Sequence, residues 1–215
     1  MENLSASNDW KQATTEIFWG EIAPCEHVLQ IYEDDQVFLD LLAGFVGGGL
    51  KAGECVIAIA TTAHLIALDE RLKQAGFNVF DLKLRDQYLP LNAEETLDAF
   101  MVNGWPDGVL FKYLVSNLVA KAKNRNLKVR AFGEMVALLW AQGNSGATVQ
   151  LEHLWNKFCE NEAFSLFCAY PRSGFTQDAN ESVMNICGAH SRIITGIGKS
   201  QKEVFYKKVD QKLAS

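Results

Sequence analysis

No apolar run in this 215-residue chain approaches the ~20 residues that a membrane-spanning helix needs. Basic residues are not in surplus either. Twenty Lys and Arg face 26 Asp and Glu, for a formal net charge of -6, whereas nucleic-acid backbones are gripped by clustered Lys and Arg. Direct nucleic-acid binding is therefore not expected. The five cysteines (Cys25, Cys55, Cys159, Cys168 and Cys187) contain no CxxC pair and are odd in number. Three sit in apolar runs, where cysteine acts as a small hydrophobe. This usage predicts a reducing cytoplasm with neither a disulfide framework nor a zinc motif. The opening MENLSASNDW lacks the basic start and apolar centre of a signal peptide. HxxxH, HExxH and GxSxG spacings are also missing, so the four histidines carry no metal signature and no cofactor is expected.

What is present reads as one globular domain. Hydrophobic residues at 48% and charged residues at 21% suit a soluble core-forming chain. Residues 1–17 read as a loose start, followed by a segment that packs Phe18 and Trp19 on the body. HVLQIYE, residues 27–33, reads as a first strand. Val37, Phe38, Leu41, Leu42, Phe45 and Val46 follow at helical spacing, with Gly47-Gly48-Gly49 expected to end that helix. ECVIAIA, residues 54–60, is a continuous apolar run, the pattern of a strand covered on both faces. Leu65, Leu68 and Leu72 then return to helical spacing.

FNVFDL and QYLPL read as short strands. Asn92 with Glu95 resembles a capping box, and residues 107–124 read as a helix with Leu110, Tyr113, Leu114, Asn117 and Leu118 on one side. Residues 127–135 form a strand ending at Gly133. A helix over 148–162 carries Leu151, Leu154, Trp155 and Phe158 on one face. FSLFCAY, residues 164–170, is a buried strand stopped by Pro171, and helices are expected around 179–189 and over 195–215, the last with a stripe of Val204, Phe205, Val209 and Leu213. Strands alternating with helices predict an α/β three-layer sandwich with a mostly parallel central sheet. Ligands of such sheets sit at the carboxyl ends of the strands. That rule points to Thr61-Thr62, Gly133-Glu134 and Tyr170.

The turn after ECVIAIA, Ala60-Thr61-Thr62-Ala63-His64, stands where many nucleotide-binding sheets carry a phosphate loop. Such a loop needs GxxxxGK[ST], whose glycines admit backbone N–H groups to the phosphates while the lysine neutralises charge. Here no glycine follows until Gly76 and no lysine until Lys73. Thr61 or Thr62 can cap the next helix, or its N-terminus can hold a small polar ligand.

Four segments in order, the stretch from FWGEIAPCEHVLQIYEDD to IAIATTAHL, then VRAFGEMVALLW, FSLFCAYPRSGF and ICGAHSRII, resemble the MEDS family, the methanogen/methylotroph DcmR-type sensory domain. The resemblance spans residues 18–194. It implies a RecA/KaiC-like, P-loop-NTPase-like core that has lost its phosphate loop. It also implies a sensory role, beside or fused to histidine kinases and transcription regulators, with hydrocarbon derivatives as the proposed signal class.

Each candidate site residue has two readings. Tyr32 offers a hydroxyl at a pocket rim, or packs at a strand end. His64 reaches over the sheet, or lies on a helix surface; the resembling motif has a histidine there. Glu134 binds a ligand hydroxyl or amine, or pairs with Arg130 or Arg172. Arg130, within a strand, needs an acceptor of its own. Arg172 binds an anion, or caps the loop after Tyr170-Pro171. The predicted function is a non-catalytic cytoplasmic sensory module that binds a small ligand or partner protein and regulates a kinase or transcription regulator, with a homodimer as one assembly. Two alternatives stand beside it: an ATPase-like nucleotide-binding enzyme using Thr61, Thr62 and Glu134, and an interaction scaffold in which Tyr32 and Glu134 fill the crevice.

Overall fold

The computed structural model describes residues 10–123, 125–174, 180–197 and 203–209. The elements run β1 (Lys11–Thr14), α1 (Thr15–Gly20), β2 (His27–Tyr32), α2 (Asp35–Lys51), β3 (Cys55–Ala60), α3 (Thr62–Gln74), α4 (Val79–Leu84), β4 (Tyr88–Asn92), α5 (Ala93–Asp98), β5 (Met101–Val102) and β6 (Trp105–Pro106). They continue with α6 (Gly108–Lys123), β7 (Val129–Gly133), α7 (Met135–Ala141), α8 (Ser145–Glu162), β8 (Ser165–Pro171), α9 (Asn180–Gly188), β9 (Arg192–Ile197) and β10 (Glu203–Lys208).

Eight strands form one sheet in the order β1-β10-β9-β2-β8-β7-β3-β4. The six strands from β9 to β4 are parallel, and β10 and then β1 are added antiparallel at one edge. β5 and β6 make a separate small hairpin. The apolar run of β3 is explained by its two covered faces. Cys55, Ile57 and Ile59 point into the core under α5–α9, while Val56, Ala58 and Ala60 point into the core under α1–α4. The α/β sandwich with a mostly parallel sheet is thus the architecture observed.

Several local expectations are corrected. α2 does not stop at Gly47-Gly48-Gly49 but runs through them to Lys51. Gly49 serves close approach instead: a Cβ there would lie 3.0 Å from Arg130 Nε, Glu54 Oε2 and Val56 Cγ2 alike. FNVFDL is helix α4, opened by the Asn78 side chain accepting the Asp81 N–H and held by buried Val79 and Leu82. The buried stripe of α6 is Phe111, Val115, Val119 and Ala122, leaving Leu110 and Tyr113 exposed.

Residues 11–14, read as loose, form edge strand β1. The expected C-terminal helix is replaced by β9 and β10, where Val204 and Tyr206 point inward and Phe205 outward with period two. Residues 210–215, with Leu213, lie outside the described residues. Among the described residues no helix is long and apolar enough to cross a membrane.

Candidate functional site

At the carboxyl ends of β3 and β7 the chain leaves onto opposite faces of the sheet, α3 on one and α7 on the other. That divergence opens the crevice in which α/β proteins bind ligands. Here the chain fills it. Glu134 follows β7, fixed by its N–H to Ile59 O at 2.9 Å. Its Oε2 accepts the Thr61 N–H at 2.8 Å and its Oε1 lies 2.7 Å from His64 Nδ1. The Thr61 hydroxyl caps α3 by accepting the His64 N–H. A carboxylate therefore rests on the positive end of α3, where an exogenous anion would otherwise bind.

Tyr32 and Phe38 wall the same spot. Their rings stack at 4.6 Å, and Phe38 meets the His64 ring edge-on at 5.1 Å. The hydrogen bond to Glu134 raises the His64 pKa against the opposing effect of burial. Burial, then the charges of Glu134 and Asp35, raises that of Tyr32 and keeps its phenol protonated. Four of the seven candidates, Tyr32, Thr61, His64 and Glu134, thus form one cluster. Glu134 pairs with His64, and neither Arg130 nor Arg172 is its partner.

The other three lie elsewhere. Thr62 accepts a hydrogen bond from Asn92 Nδ2 at 2.9 Å, tying α3 to the end of β4. Tyr170 is fully buried on the opposite face, its hydroxyl donating to Glu152. Arg172 makes an exposed pair with Glu33 at 2.7 Å. Arg130, buried at the start of β7, pairs with Glu54 at 2.7 Å and donates to Phe45 O at 3.1 Å.

The strand and helix of the first crossover were read from sequence, but the phosphate-loop comparison was made at the turn 60–64. The sheet order makes β2 the first strand of the parallel set, so the first crossover is β2–α2, and the turn at 60–64 belongs to the second. The first one enters through Glu33-Asp34-Asp35. The Asp34 side chain accepts the Gln36 and Val37 N–H groups. An acid directly before a helical apolar pattern was the available signal. Also missed was a cavity of about 890 Å³ at the opposite end of the sheet, lined by residues that include Trp19, Gly44, Gly48, Glu54, Phe77 and Arg130. It opens between α1, α2 and the amino ends of β3, β7 and β8, and no motif announces it.

The family model described as "MEthanogen/methylotroph, DcmR Sensory domain" matches residues 26–189. The chain belongs to the MEDS family. No curated protein matches it by sequence. Among solved structures, this MEDS domain is similar to the flagellar accessory protein FlaH from Methanocaldococcus jannaschii, at 13% identity and TM-score 0.54 over 82% of this chain and 73% of that one. It is also similar to a KaiC-like protein from the hyperthermophilic archaeon Pyrococcus horikoshii OT3, at 11% identity and TM-score 0.54 over 80% and 72%. These likenesses establish the RecA/KaiC-like fold.

Proposed function

We propose that this MEDS domain is a non-catalytic sensory module of the cytoplasm, which binds a small ligand and passes the change to a histidine kinase or transcription regulator. Family membership supports the sensory role. The observation that carries the non-catalytic part is the carboxylate of Glu134 on the N-terminus of α3. Asp34 does the same at α2, with Glu33 and Asp35 beside it. A polyphosphate approaching either crossover meets acidic groups where a phosphate loop presents free N–H groups and a lysine.

Space for a small molecule exists at the other end, in the cavity beside Trp19 and Gly48. The filled carboxyl-end crevice suits docking of a partner, including a second copy of the chain. A ligand in the cavity acts only by binding two states of the domain unequally. The wall offers a route: Trp19 adjoins Phe18, whose ring lies 4.8 Å from Tyr206 on β10.

The KaiC-like fold favours a second reading, a nucleotide-binding enzyme, and one assay separates the two. Magnesium-ATP is added to the full chain while the melting temperature and released phosphate are followed. A ligand that binds only the native state must raise that temperature. The expected result is no shift and no phosphate. Phosphate release that disappears in Glu134→Gln overturns the proposal. For the cavity, native mass spectrometry of protein purified from cells is expected to show a bound small molecule that is absent from Gly48→Met; wild-type protein at its bare chain mass refutes that site.

A further inference from the structure

Away from both regions, four ligand-type side chains from separate parts of the fold converge. They are His27 at the start of β2, Glu152 on α8, Cys168 on β8 and His190 between α9 and β9. The parallel register sets Leu29 opposite Cys168. His27, two residues before Leu29, therefore faces the same side of the sheet. The donor atoms of all four lie within 4.8 Å of one another. His27 Nε2 is 3.2 Å from Cys168 Sγ and 3.5 Å from Glu152 Oε2, and His190 Nε2 is 3.6 Å from that same oxygen. All four side chains are buried.

We propose that His27, Glu152, Cys168 and His190 form a buried site for a divalent transition metal of the zinc class. Ligand bonds of about 2.0–2.3 Å in a tetrahedron place the donor atoms about 3.3–3.8 Å apart, and the three separations fall close to that range. The surrounding hydrogen bonds orient the donors as a metal site requires. His190 Nδ1 donates to Ile186 O at 2.6 Å, so its Nε2 lone pair faces the cluster. The Tyr170 hydroxyl donates to Glu152 Oε1, leaving Oε2 toward the two histidines. His190 Nε2 and Glu152 Oε2 make no hydrogen bond in this buried place.

Buried polar atoms without partners are rare and call for an occupant. A divalent ion supplies one for both, and a thiolate with a carboxylate cancels its charge. Thiolate and imidazole donors select zinc-class ions over magnesium or calcium. Without metal, the cluster can stay uncharged. Burial holds both imidazoles in the neutral, ligating form, with the His190 pKa lowered to about 4. It also pushes Glu152 up to about 8 and raises the Cys168 thiol. Metal entry then displaces the thiol and carboxyl protons. The ion joins the α9–β9 turn to α8 and to two central strands.

The test uses the full chain. Protein purified from cells without added chelator is expected to carry one zinc per chain. Exchange for cobalt(II) is expected to give thiolate-to-cobalt charge-transfer absorption and the visible bands of a tetrahedral ion. Cys168→Ser removes the charge-transfer band, and His190→Ala weakens binding by about 10-fold or more. The double variant Cys25→Ser/His153→Ala, which alters an exposed cysteine and an exposed histidine, keeps both signatures. Folded wild-type protein that neither retains zinc nor develops cobalt–thiolate absorption overturns the site. So does a charge-transfer band that persists in Cys168→Ser.

Discussion

Replacing Glu134 by Gln tests the contact that closes the carboxyl-end crevice. The carboxylate accepts the Thr61 N–H at 2.8 Å and holds His64 Nδ1 at 2.7 Å. Glutamine keeps an acceptor for one of these but removes the charge. With His64 protonated, the variant loses a charge-assisted hydrogen bond in a nearly enclosed place, about 1.5–3 kcal/mol. Unfolded His64 titrates near 6.5, and Glu134 raises its pKa in the folded protein. A raised folded pKa contributes stability that is complete below about 6.5 and lost as pH rises through the folded value. The loss in Glu134→Gln is therefore largest at about pH 6. At about pH 9 it shrinks to the worth of a hydrogen bond from a neutral imidazole, about 0.5–1.5 kcal/mol.

Urea unfolding at the two pH values reads the difference. In a domain of this size each kcal/mol also shifts the melting temperature by about 2–4 °C. Proton NMR of His64 is the second readout, because its pKa must fall back toward about 6.5 in the variant. Equal losses at both pH values, or an unchanged His64 titration, refute the pair as described.

Adjacent glycines of α2 give a sharp contrast. Gly49→Ala forces a Cβ against three atoms at 3.0 Å and is expected to cost about 1–3 kcal/mol. Gly48→Ala, whose nearest neighbour is 3.6 Å away, is expected to be neutral or to stabilise by up to about 1 kcal/mol through helix propensity. Chemical denaturation of both variants decides this, and equal destabilisation contradicts it. Glu54→Ala leaves the guanidinium of Arg130 buried with Phe45 O as its remaining acceptor, and is expected to cost about 3–5 kcal/mol. A loss below about 1 kcal/mol in the same assay shows that solvent reaches Arg130 through the adjoining cavity. Arg172→Ala breaks only an exposed pair and is expected to change stability by less than about 0.5 kcal/mol; a larger melting shift implies a contact beyond Glu33.

The crevice cluster was legible to the extent that strand ends can be read from sequence. Thr61 and Glu134 stand directly after β3 and β7, so the rule about carboxyl ends found them. Tyr170 ends a strand too, yet its side chain points to the other face, because alternation along β8 puts Leu166, Cys168 and Tyr170 in one core and Phe167 and Ala169 in the other. Reading that phase requires knowing which neighbours cover each face. The Arg130–Glu54 pair spans 76 residues and could not be spaced out along the chain.

By itself the sequence determined the alternation of strands and helices, the doubly buried character of β3, and the absence of a phosphate loop. Those properties are local, written in periodicity and in which residue follows which. Tertiary structure alone decided that Gly47–Gly49 stay helical, and it alone explains Gly49, against which Val56, Glu54 and Arg130 pack closely. It alone turned the last segment into β9 and β10, because an edge of the sheet was open to receive it. It alone brought together His27, Glu152, Cys168 and His190, four residues whose sequence distances carry no signature: parallel pairing of β2 with β8 sets His27 near Cys168, and α8 and the α9–β9 turn bring Glu152 and His190 to them.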